Sequence, residues 1–416
     1  MGVVMEKRRT IGVGVVSLGW MGRLHTRAYK ALAEKFPEID VNIRLVSCCD
    51  VVAENRRQAV DRLGFCTAVE DYHDLIGNPE VDVVSICAPN FLHRDIALAA
   101  AEVGKPFWIE KPMGTNAKQS RQIAEAAEAK GLVTSVGFNY RHTPSIEFAR
   151  QLIADGRLGT VTNTRAWLIA DYASDPHGPL TWRYDRERAG AGVILDLMGH
   201  GEDLVQYLLK GRFTEVSAVS ETFIRQRPKP LKEGIGHTGW VVSDELGPVG
   251  NEDYCAVIAR MENGVMCTLE SSRVSVGPRA EYIVEIYGTD GSIRWNFEDL
   301  NHLQVCLGRN NRALQGYVNC MAGPDFPEFM RFQPGAGTSM GFDDMKVVEA
   351  AKFVRGVLDG QQYGPSVADG WASAEVNDAI VASCGDHAWH DVKPVSGRTT
   401  FDKLSLIHIS EPTRRY

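Results

Sequence analysis

Residues 13–22 read Val13-Gly14-Val15-Val16-Ser17-Leu18-Gly19-Trp20-Met21-Gly22, an apolar strand that leads through a glycine-rich turn into a helix. The turn matches the Gly-x-Gly-x-x-Gly pattern of dinucleotide-binding folds, with a serine at the first glycine position. The middle glycine lets the backbone approach a pyrophosphate, and the last one allows tight helix packing. The free N–H groups of the helix start then bind the anion. We therefore predict a cofactor-binding turn formed by Ser17, Gly19, Trp20, Met21 and Gly22.

Short apolar runs alternate with amphipathic stretches through the first third of the chain. The runs are rich in branched side chains, as expected of parallel strands that are covered on both faces. The stretches between them carry apolar residues at helical spacing. This rhythm predicts a doubly wound α/β Rossmann domain over residues 10–140. The predicted strands are residues 11–16, 43–48, 83–86, 107–109 and 133–136.

The pattern changes after about residue 141. A helix is predicted at residues 145–153 and another around 193–209, and longer extended segments linked by glycine-containing turns follow. We expect an α+β domain over residues 141–394 that binds the substrate, mediates oligomerisation and contains a large open, mostly antiparallel sheet with helices on one face. The Gly- and Pro-rich residues 225–250 and 309–341 are predicted to be long loops that cover the substrate.

Composition excludes several classes of protein. The 416 residues exceed what one hydrophobic core usually holds, which favours two domains. A net charge of -8 and a pI of about 5.8 provide no basic surface for nucleic acid or anionic membranes. The nine cysteines are scattered without a Cys-x-x-Cys pair, which indicates free thiols, no metal site and a cytoplasmic location.

Both ends of the chain need a separate interpretation. Lys7-Arg8-Arg9 before the apolar residues 11–21 imitates a secretory signal, but the glycine turn favours a buried first strand. No other run is long and apolar enough to span a membrane. Residues 404–416 are expected to be a non-native tail, and a short extra strand is the alternative.

An acidic residue, Asp50, follows the second predicted strand. A carboxylate at this position accepts hydrogen bonds from the adenosine ribose hydroxyls and repels a ribose 2'-phosphate, which predicts NAD rather than NADP. Asp50 lies 28 positions after Gly22, and residues 34–40 account for the extra length as a connecting loop. The alternative role for Asp50 is that of a solvated strand end or helix cap.

Four further segments carry a family resemblance: residues 88–93 (Ala-Pro-Asn-Phe-Leu-His), 110–112 (Glu-Lys-Pro), 137–141 (Gly-Phe-Asn-Tyr-Arg) and 190–200 (Gly-Ala-Gly-Val-Ile-Leu-Asp-Leu-Met-Gly-His). Their order and content resemble the Gfo/Idh/MocA family of oxidoreductases, and within it the sugar dehydrogenases of levoglucosan dehydrogenase type. The resemblance extends to about Val392. It implies a Rossmann domain, an open-sheet domain, a nicotinamide cofactor and a small carbohydrate substrate.

The resemblance implies that Lys111 is the catalytic lysine and that Asp196 and His200 are its polar partners. The residue types agree with that chemistry, because alcohol oxidation needs a base for the hydroxyl proton and an acceptor for the hydride. Asp196 and His200 are four apart on a predicted helix, where the carboxylate can orient the imidazole. Lys111 follows a predicted strand, so its ammonium can stabilise a developing alkoxide. The alternatives are a core histidine and a surface lysine.

The remaining candidates lie at the ends of predicted strands or before the catalytic helix. Asn90 has an alternative role as a helix cap, and Trp182 has an alternative role in interface packing. The sequence departs from the family pattern at Ser17 and Ala191, where glycine is common. The candidates for the cofactor are Ala88, Pro89, Asn90, His93, Glu110, Lys111 and Asn139, and those for the substrate are Tyr140, Arg141, Trp182, Arg183, Asp196 and His200.

Two other functions remain open from the sequence. One is a glycosidase that uses NAD transiently, through oxidation, elimination and return of the hydride. The other is a non-catalytic, sugar-sensing regulator, for which a missing Lys111 or His200 would be expected. For any of these functions we expect a homo-oligomer, a dimer or tetramer, because a large open sheet face favours self-association.

Overall fold

The computed structural model describes residues 8–232, 234, 239–308, 315–397 and 399–400. The expected tail, residues 404–416, therefore lies outside the described residues. The described chain forms a six-stranded sheet, a nine-stranded sheet and a separate two-stranded ribbon. Within these residues, no helix has the length and apolar character required to cross a bilayer.

The first sheet is parallel throughout, with strand order β3-β2-β1-β4-β5-β6. The order reverses between β1 and β4, which is the place where such sheets bind ligands. Strands β4, β5 and β6 are short and buried, as the apolar runs predicted. The elements are β1 (Arg9–Val16), α1 (Trp20–Lys35), β2 (Val41–Cys49), α2 (Ala53–Gln58), β3 (Thr67–Val69), α3 (Tyr72–Gly77), β4 (Val83–Ile86), α4 (Asn90–Glu102), β5 (Phe107–Ile109), α5 (Ala117–Ala129) and β6 (Thr134–Val136).

The second half contains the large sheet, with order β16-β15-β14-β13-β7-β12-β11-β8-β17. Among the described strands of this sheet only β7 and β12 pair in parallel, so the predicted mostly antiparallel sheet is confirmed. The elements are α6 (Pro144–Ala154), β7 (Val161–Ala170), α7 (Arg186–Ala189), α8 (Gly199–Leu209), β8 (Phe213–Glu221), β9 (Gln226–Lys232), β10 (Val241–Pro248), β11 (Tyr254–Met261), β12 (Met266–Ser272), β13 (Ala280–Gly288), β14 (Gly291–Asn296), β15 (His302–Leu307), β16 (Val318–Met321), α9 (Phe342–Asp359), α10 (Val367–Asp386) and β17 (His390–Asp391).

One face of the large sheet is covered by helices and the other is open. Buried and accessible positions alternate along β11, as expected when one face of a strand meets a core and the other meets solvent. Helices α8 and α10 pack on the covered face. The open face carries Val219 and Ile258, both more than half exposed, beside a depression of about 450 Å³.

The prediction of a long loop at residues 225–250 is wrong. Strands β9 and β10 form an antiparallel ribbon there. Pro228 and Pro230 hid β9 from the sequence pattern, although proline is tolerated where a strand lies at an edge. The buried Arg227 anchors the ribbon by donating a 2.7 Å hydrogen bond to the carbonyl oxygen of Asp175.

Helix α9 lies far from the first sheet in sequence but packs against it. Its buried residues Val347, Val348 and Phe353 share a core with Ile11 and Tyr29. Helix α10 packs on α5. The end of the chain therefore returns to cover the Rossmann sheet and joins the two halves.

Candidate active site

The glycine-rich turn has the shape that a pyrophosphate needs. Ser17 adopts a left-handed conformation (φ 73°), and its N–H donates to the carbonyl oxygen of Cys49 at 2.7 Å. A Cβ at Gly22 would lie 1.8 Å from the Ser17 carbonyl oxygen, so no other residue fits there. A Cβ at Gly19 would meet only the Ser17 hydroxyl oxygen, 4.0 Å away. Open space therefore faces the uncapped start of α1, where N–H groups remain for an anion.

Asp50 lies at the end of β2 and is nearly buried. One carboxylate oxygen accepts the Leu18 N–H at 2.7 Å and the other accepts the Val52 N–H at 2.8 Å. The side chain thus ties the glycine turn to β2. Each carboxylate oxygen keeps a second lone pair, with which it can accept a ribose hydroxyl.

Lys111 and Asp196 meet across the junction of the two halves. The Lys111 ammonium donates to the backbone carbonyl of Asp196 at 2.6 Å and to its carboxylate at 3.3 Å. The Tyr172 hydroxyl donates to the other carboxylate oxygen at 3.1 Å. Burial raises the pKa of Asp196, but the charges of Lys111 and Arg183 outweigh it and hold the pKa below its ordinary value. Asp196 is therefore an ionised partner for the lysine. The peptide bond between Lys111 and Pro112 is cis.

His200 lies at the start of α8, nearly buried, with the Tyr140 ring at 4.6 Å in an edge-on contact. Burial lowers the pKa of His200 well below its ordinary value, and the Lys111 charge lowers it further. The imidazole is thus neutral at neutral pH and can accept a proton. Lys111 bonds to Asp196, which lies four residues before His200, so groups from the two halves lie close together here.

The expected pairing of Asp196 with His200 is not what the structure contains. The Asp196 carboxylate bonds to Lys111 and Tyr172, and among the described residues no hydrogen bond joins it to the imidazole. Asp196 lies in the π-helical turn Ile194–Met198, where contacts from distant parts of the chain occupy its carboxylate. Asp196 raises the pKa of His200 only through its charge.

Two buried asparagines flank this centre with unused hydrogen-bonding atoms. The Asn90 amide donates to the Ala189 carbonyl at 2.9 Å, while its oxygen has no partner among the described groups. The amide nitrogen of Asn139 likewise has none within the described chain. Orphaned buried polar atoms usually mark a missing ligand or water. Together with the open turn at Gly19, they fit a dinucleotide.

Three other predicted contacts are contradicted. Both ring nitrogens of His93 face backbone carbonyls, Pro112 at 2.9 Å and Ala88 at 2.7 Å, so this ring supports the Pro112 loop and the Ala88-Pro89 turn. The Glu110 carboxylate is buried between His25 and Lys346 rather than turned to a cofactor.

Arg141 is the third correction. It is 1% exposed and forms a two-pronged ion pair with Asp203, with further contacts to Asp369 and Thr400. Its guanidinium is therefore occupied inside the protein and is not available to a sugar. A buried arginine with carboxylate partners is a packing element, since an unpaired buried charge is costly.

Trp182 and Arg183 form one edge of the site. The Arg183 guanidinium lies 4.5 Å from the Trp182 ring, and Trp182 contacts Phe91 of α4 edge-on at 5.6 Å. Trp182 thus takes part in the contact between the halves, and both residues remain partly exposed. On the cofactor side, the exposed Trp20 stacks on Phe342 at 5.5 Å.

Sequence reasoning missed Tyr172 and Phe342. Tyr172 follows β7 by two residues, and an aromatic hydroxyl beyond a strand end is the only sequence signal for it. Phe342 begins α9 and lies 6.5 Å from the Tyr140 ring, so α9 contributes to the site wall.

Comparison with known proteins agrees with this geometry. Residues 11–138 match the model of the oxidoreductase family with an NAD-binding Rossmann fold. Residues 146–294 match the GFO/IDH/MocA C-terminal domain. Levoglucosan dehydrogenase of Pseudarthrobacter phenanthrenivorans is 34% identical over 391 residues, which cover 93% of this chain and 100% of the relative. Myo-inositol 2-dehydrogenase of Thermotoga maritima is 26% identical, covering 68% of this chain and 73% of its own length.

Solved structures lead to the same family. The structure of levoglucosan dehydrogenase in complex with NADH and L-sorbose is 32% identical and superimposes with a TM-score of 0.87 over 93% of this chain and 100% of its own. Its Rossmann sheet followed by a large open sheet is the arrangement described above. The chain belongs to the Gfo/Idh/MocA family of oxidoreductases, with an NAD-binding Rossmann domain.

Proposed function

We propose that the protein is an NAD(H)-dependent dehydrogenase that transfers a hydride between nicotinamide and a secondary alcohol carbon of a sugar, anhydrosugar, glycoside or inositol. The observation that supports this most is the contact between Lys111 and Asp196 beside a neutral His200, next to the cofactor turn. These groups supply what alcohol oxidation needs, namely a proton acceptor and a cation for the developing alkoxide.

The roles of the chain's own residues follow from their contacts. His200 accepts the hydroxyl proton, because its imidazole is neutral and partly shielded from water. Lys111 stabilises the alkoxide, Asp196 holds the ammonium in place, and Tyr172 in turn holds the Asp196 carboxylate. Bound NAD supplies the hydride acceptor.

Substrate recognition falls to the aromatic and basic side chains around this centre. Tyr140 and Trp182 offer faces that pack on sugar C–H groups, and Arg183 donates hydrogen bonds to hydroxyls. Asn90 and Asn139 would hold the nicotinamide end of the cofactor through their orphaned polar atoms. Asp50 would accept the adenosine ribose hydroxyls, which favours NAD over NADP.

We also propose the division of the chain into a cofactor domain (residues 10–140) and a substrate and oligomerisation domain (residues 141–394), with α9 bridging them. The open sheet face, with exposed Val219 and Ile258, is the proposed surface of a homodimer or homotetramer. The nine cysteines are free, which fits a reducing cytoplasm.

The test uses purified protein with NAD or NADP and a panel of sugars, anhydrosugars and inositols, followed by reduced-cofactor absorbance. We expect NADH formation with NAD, and a loss of at least about 100-fold when Lys111 or His200 is replaced by alanine. A protein that cleaves glycosides without net NADH is a glycosidase instead. Sugar binding without turnover identifies a regulator, and an unimpaired Lys111→Ala/His200→Ala double variant refutes the site.

A further inference from the structure

A buried ion network lies directly behind Lys111. Glu110, its neighbour in the chain, accepts hydrogen bonds on one carboxylate oxygen from His25 at 2.8 Å and from Lys346 at 2.5 Å. The side chains of His25 and Lys346 are fully buried, and that of Glu110 is 8% exposed. Lys346 comes from α9, 236 residues away in sequence. A cation from the end of the chain thus holds the residue that precedes the catalytic lysine.

The network is closed on its far side. Lys346 also pairs with Glu349 at 2.9 Å, and the Trp108 indole N–H donates to Glu349 at 3.0 Å. The ring of His25 stacks on Trp108 with centroids 3.4 Å apart. Trp108 belongs to β5, the strand that ends at Ile109, two residues before Lys111. Both sides of this strand end are therefore fixed by the same set of groups.

There is little space for the Glu110 carboxylate to move. A Cβ at Gly137 would lie 2.5 Å from its second oxygen, so the neighbouring strand end closes on the carboxylate. With two donors on one oxygen and backbone against the other, the Glu110 side chain has one position. Lys111 is the next residue, so the position of Glu110 fixes the place from which the Lys111 side chain extends.

Resting on the proposed function, we propose that Lys346 is a positioning residue for the reaction: by holding Glu110, it places the Lys111 ammonium against Asp196. Stability alone does not account for such a cation, because a buried Lys–Glu pair often adds nothing compared with apolar side chains of similar size. Catalytic groups, in contrast, must be held to a fraction of an ångström by the residues behind them.

The same helix supplies a matched control. Lys352 is also nearly buried on α9, and its ammonium donates to Glu147 at 3.1 Å and to His142 at 3.2 Å. This second ion pair lies in a different set of contacts from Glu110 and Lys111. Replacing either lysine by methionine removes a buried cation from α9, but only one change reaches the catalytic lysine.

The first measurement compares Lys346→Met with Lys352→Met per folded protein. We expect Lys346→Met to lower kcat by about tenfold or more, while the Kd for NADH changes less than about threefold, because the cofactor turn is untouched. We expect Lys352→Met to lose thermal stability to a similar degree but to keep its kcat. Equal losses of kcat in the two variants would overturn the proposal.

The second measurement does not depend on activity. Reductive methylation with ¹³C-formaldehyde labels the accessible lysines, and the Lys111 signal is the one that Lys111→Arg removes. We expect this signal to shift in Lys346→Met and to stay in place in Lys352→Met. An unmoved signal refutes the positioning role even if the wild type oxidises no sugar, whereas an inactive wild type with a shifted signal refutes only the proposed function.

A milder variant keeps the test decisive if Lys346→Met does not fold. His25→Phe preserves the ring stack on Trp108 and removes only the hydrogen bond to Glu110. We expect the same Lys111 signal to move and kcat to fall by a few-fold. No shift and no loss of kcat in this variant would count against the proposal.

Discussion

His25 is a base that the fold keeps neutral. Burial lowers its pKa from 6.5 to about 4, and the hydrogen bond to Glu110 only partly offsets that effect. The unfolded chain takes up a proton on this side chain below about pH 6.5, while the folded chain does so only near pH 4. The unfolded state therefore binds more protons in this window, so this residue makes the protein less stable as the pH falls.

We predict that His25→Phe makes the free energy of unfolding depend less steeply on pH between pH 7 and pH 4. A depression of the pKa from 6.5 to about 4 corresponds to about 3 kcal/mol of stability lost between pH 7 and pH 4. The variant lacks this loss, although its stability at pH 7 is lower because Glu110 loses a donor. Urea unfolding at intervals of half a pH unit measures the slope. Parallel profiles for wild type and variant would show that folding leaves the pKa of His25 at its ordinary value.

Arg141 links two elements of the fold, because its ion-pair partners lie on two different helices. Asp203 is on α8 and Asp369 is on α10, so one guanidinium holds the two helices beneath the large sheet. Removing one partner of a buried ion pair leaves an unpaired charge, which costs about 3–5 kcal/mol.

We predict that Arg141→Met lowers the free energy of unfolding by about that amount and leaves the substrate KM of the folded enzyme unchanged. Arg183→Met is the matched control. This arginine is partly exposed beside Trp182, so we expect its loss to raise the substrate KM with little change in stability. Thermal melting and initial-rate kinetics separate the two effects, and a raised KM in Arg141→Met would restore it as a substrate contact.

The strands and helices could be predicted from the sequence wherever the apolar residues kept a single spacing, either that of a strand or that of a helix. The cofactor turn at Gly19 and Gly22 was predicted from such a pattern, whereas Lys111 and His200 were predicted from the family resemblance. The predicted pairing of Asp196 with His200 is wrong, because the Asp196 carboxylate bonds to Lys111 and Tyr172 instead. No local pattern signals such long-range contacts.

Long-range contacts account for the other errors. Arg141 and Glu110 carry the residue types of ligand contacts, yet both are occupied by partners distant in sequence. Lys346 is a lysine on a helix, which by itself favours a solvent-facing role. Only the packing of α9 against the first sheet reveals that it is buried beside Glu110.

At the scale of the whole molecule, the chain crosses from the first half to the second and returns. Helix α9 packs on α1, and the Trp20–Phe342 stack joins the cofactor turn to the start of that helix. The Trp182–Phe91 contact joins the halves on the other side of the site. The site is thus enclosed by contacts on both sides, which favours a centre that is assembled before the substrate binds.

The open face of the large sheet remains without a cover in the single chain. Val219 and Ile258 lie on adjacent strands there, 55% and 51% exposed, with Trp167 nearby on the same face. Apolar side chains grouped on a rigid sheet face indicate a protein interface, since such patches are uncommon on monomers. A second copy of the chain can bury them through a two-fold contact.

We predict that Ile258→Glu converts the proposed oligomer into smaller species. A carboxylate buried in the centre of the interface weakens association by at least about 2 kcal/mol, or roughly 30-fold in Kd. Val103→Glu is the control, because Val103 is 53% exposed, nearly the same as Ile258, but lies at the end of α4 in the cofactor half. Sedimentation velocity over a range of concentrations measures both variants. A wild type that sediments as a monomer, or two variants that behave alike, would place the interface elsewhere and leave the sheet face to another partner.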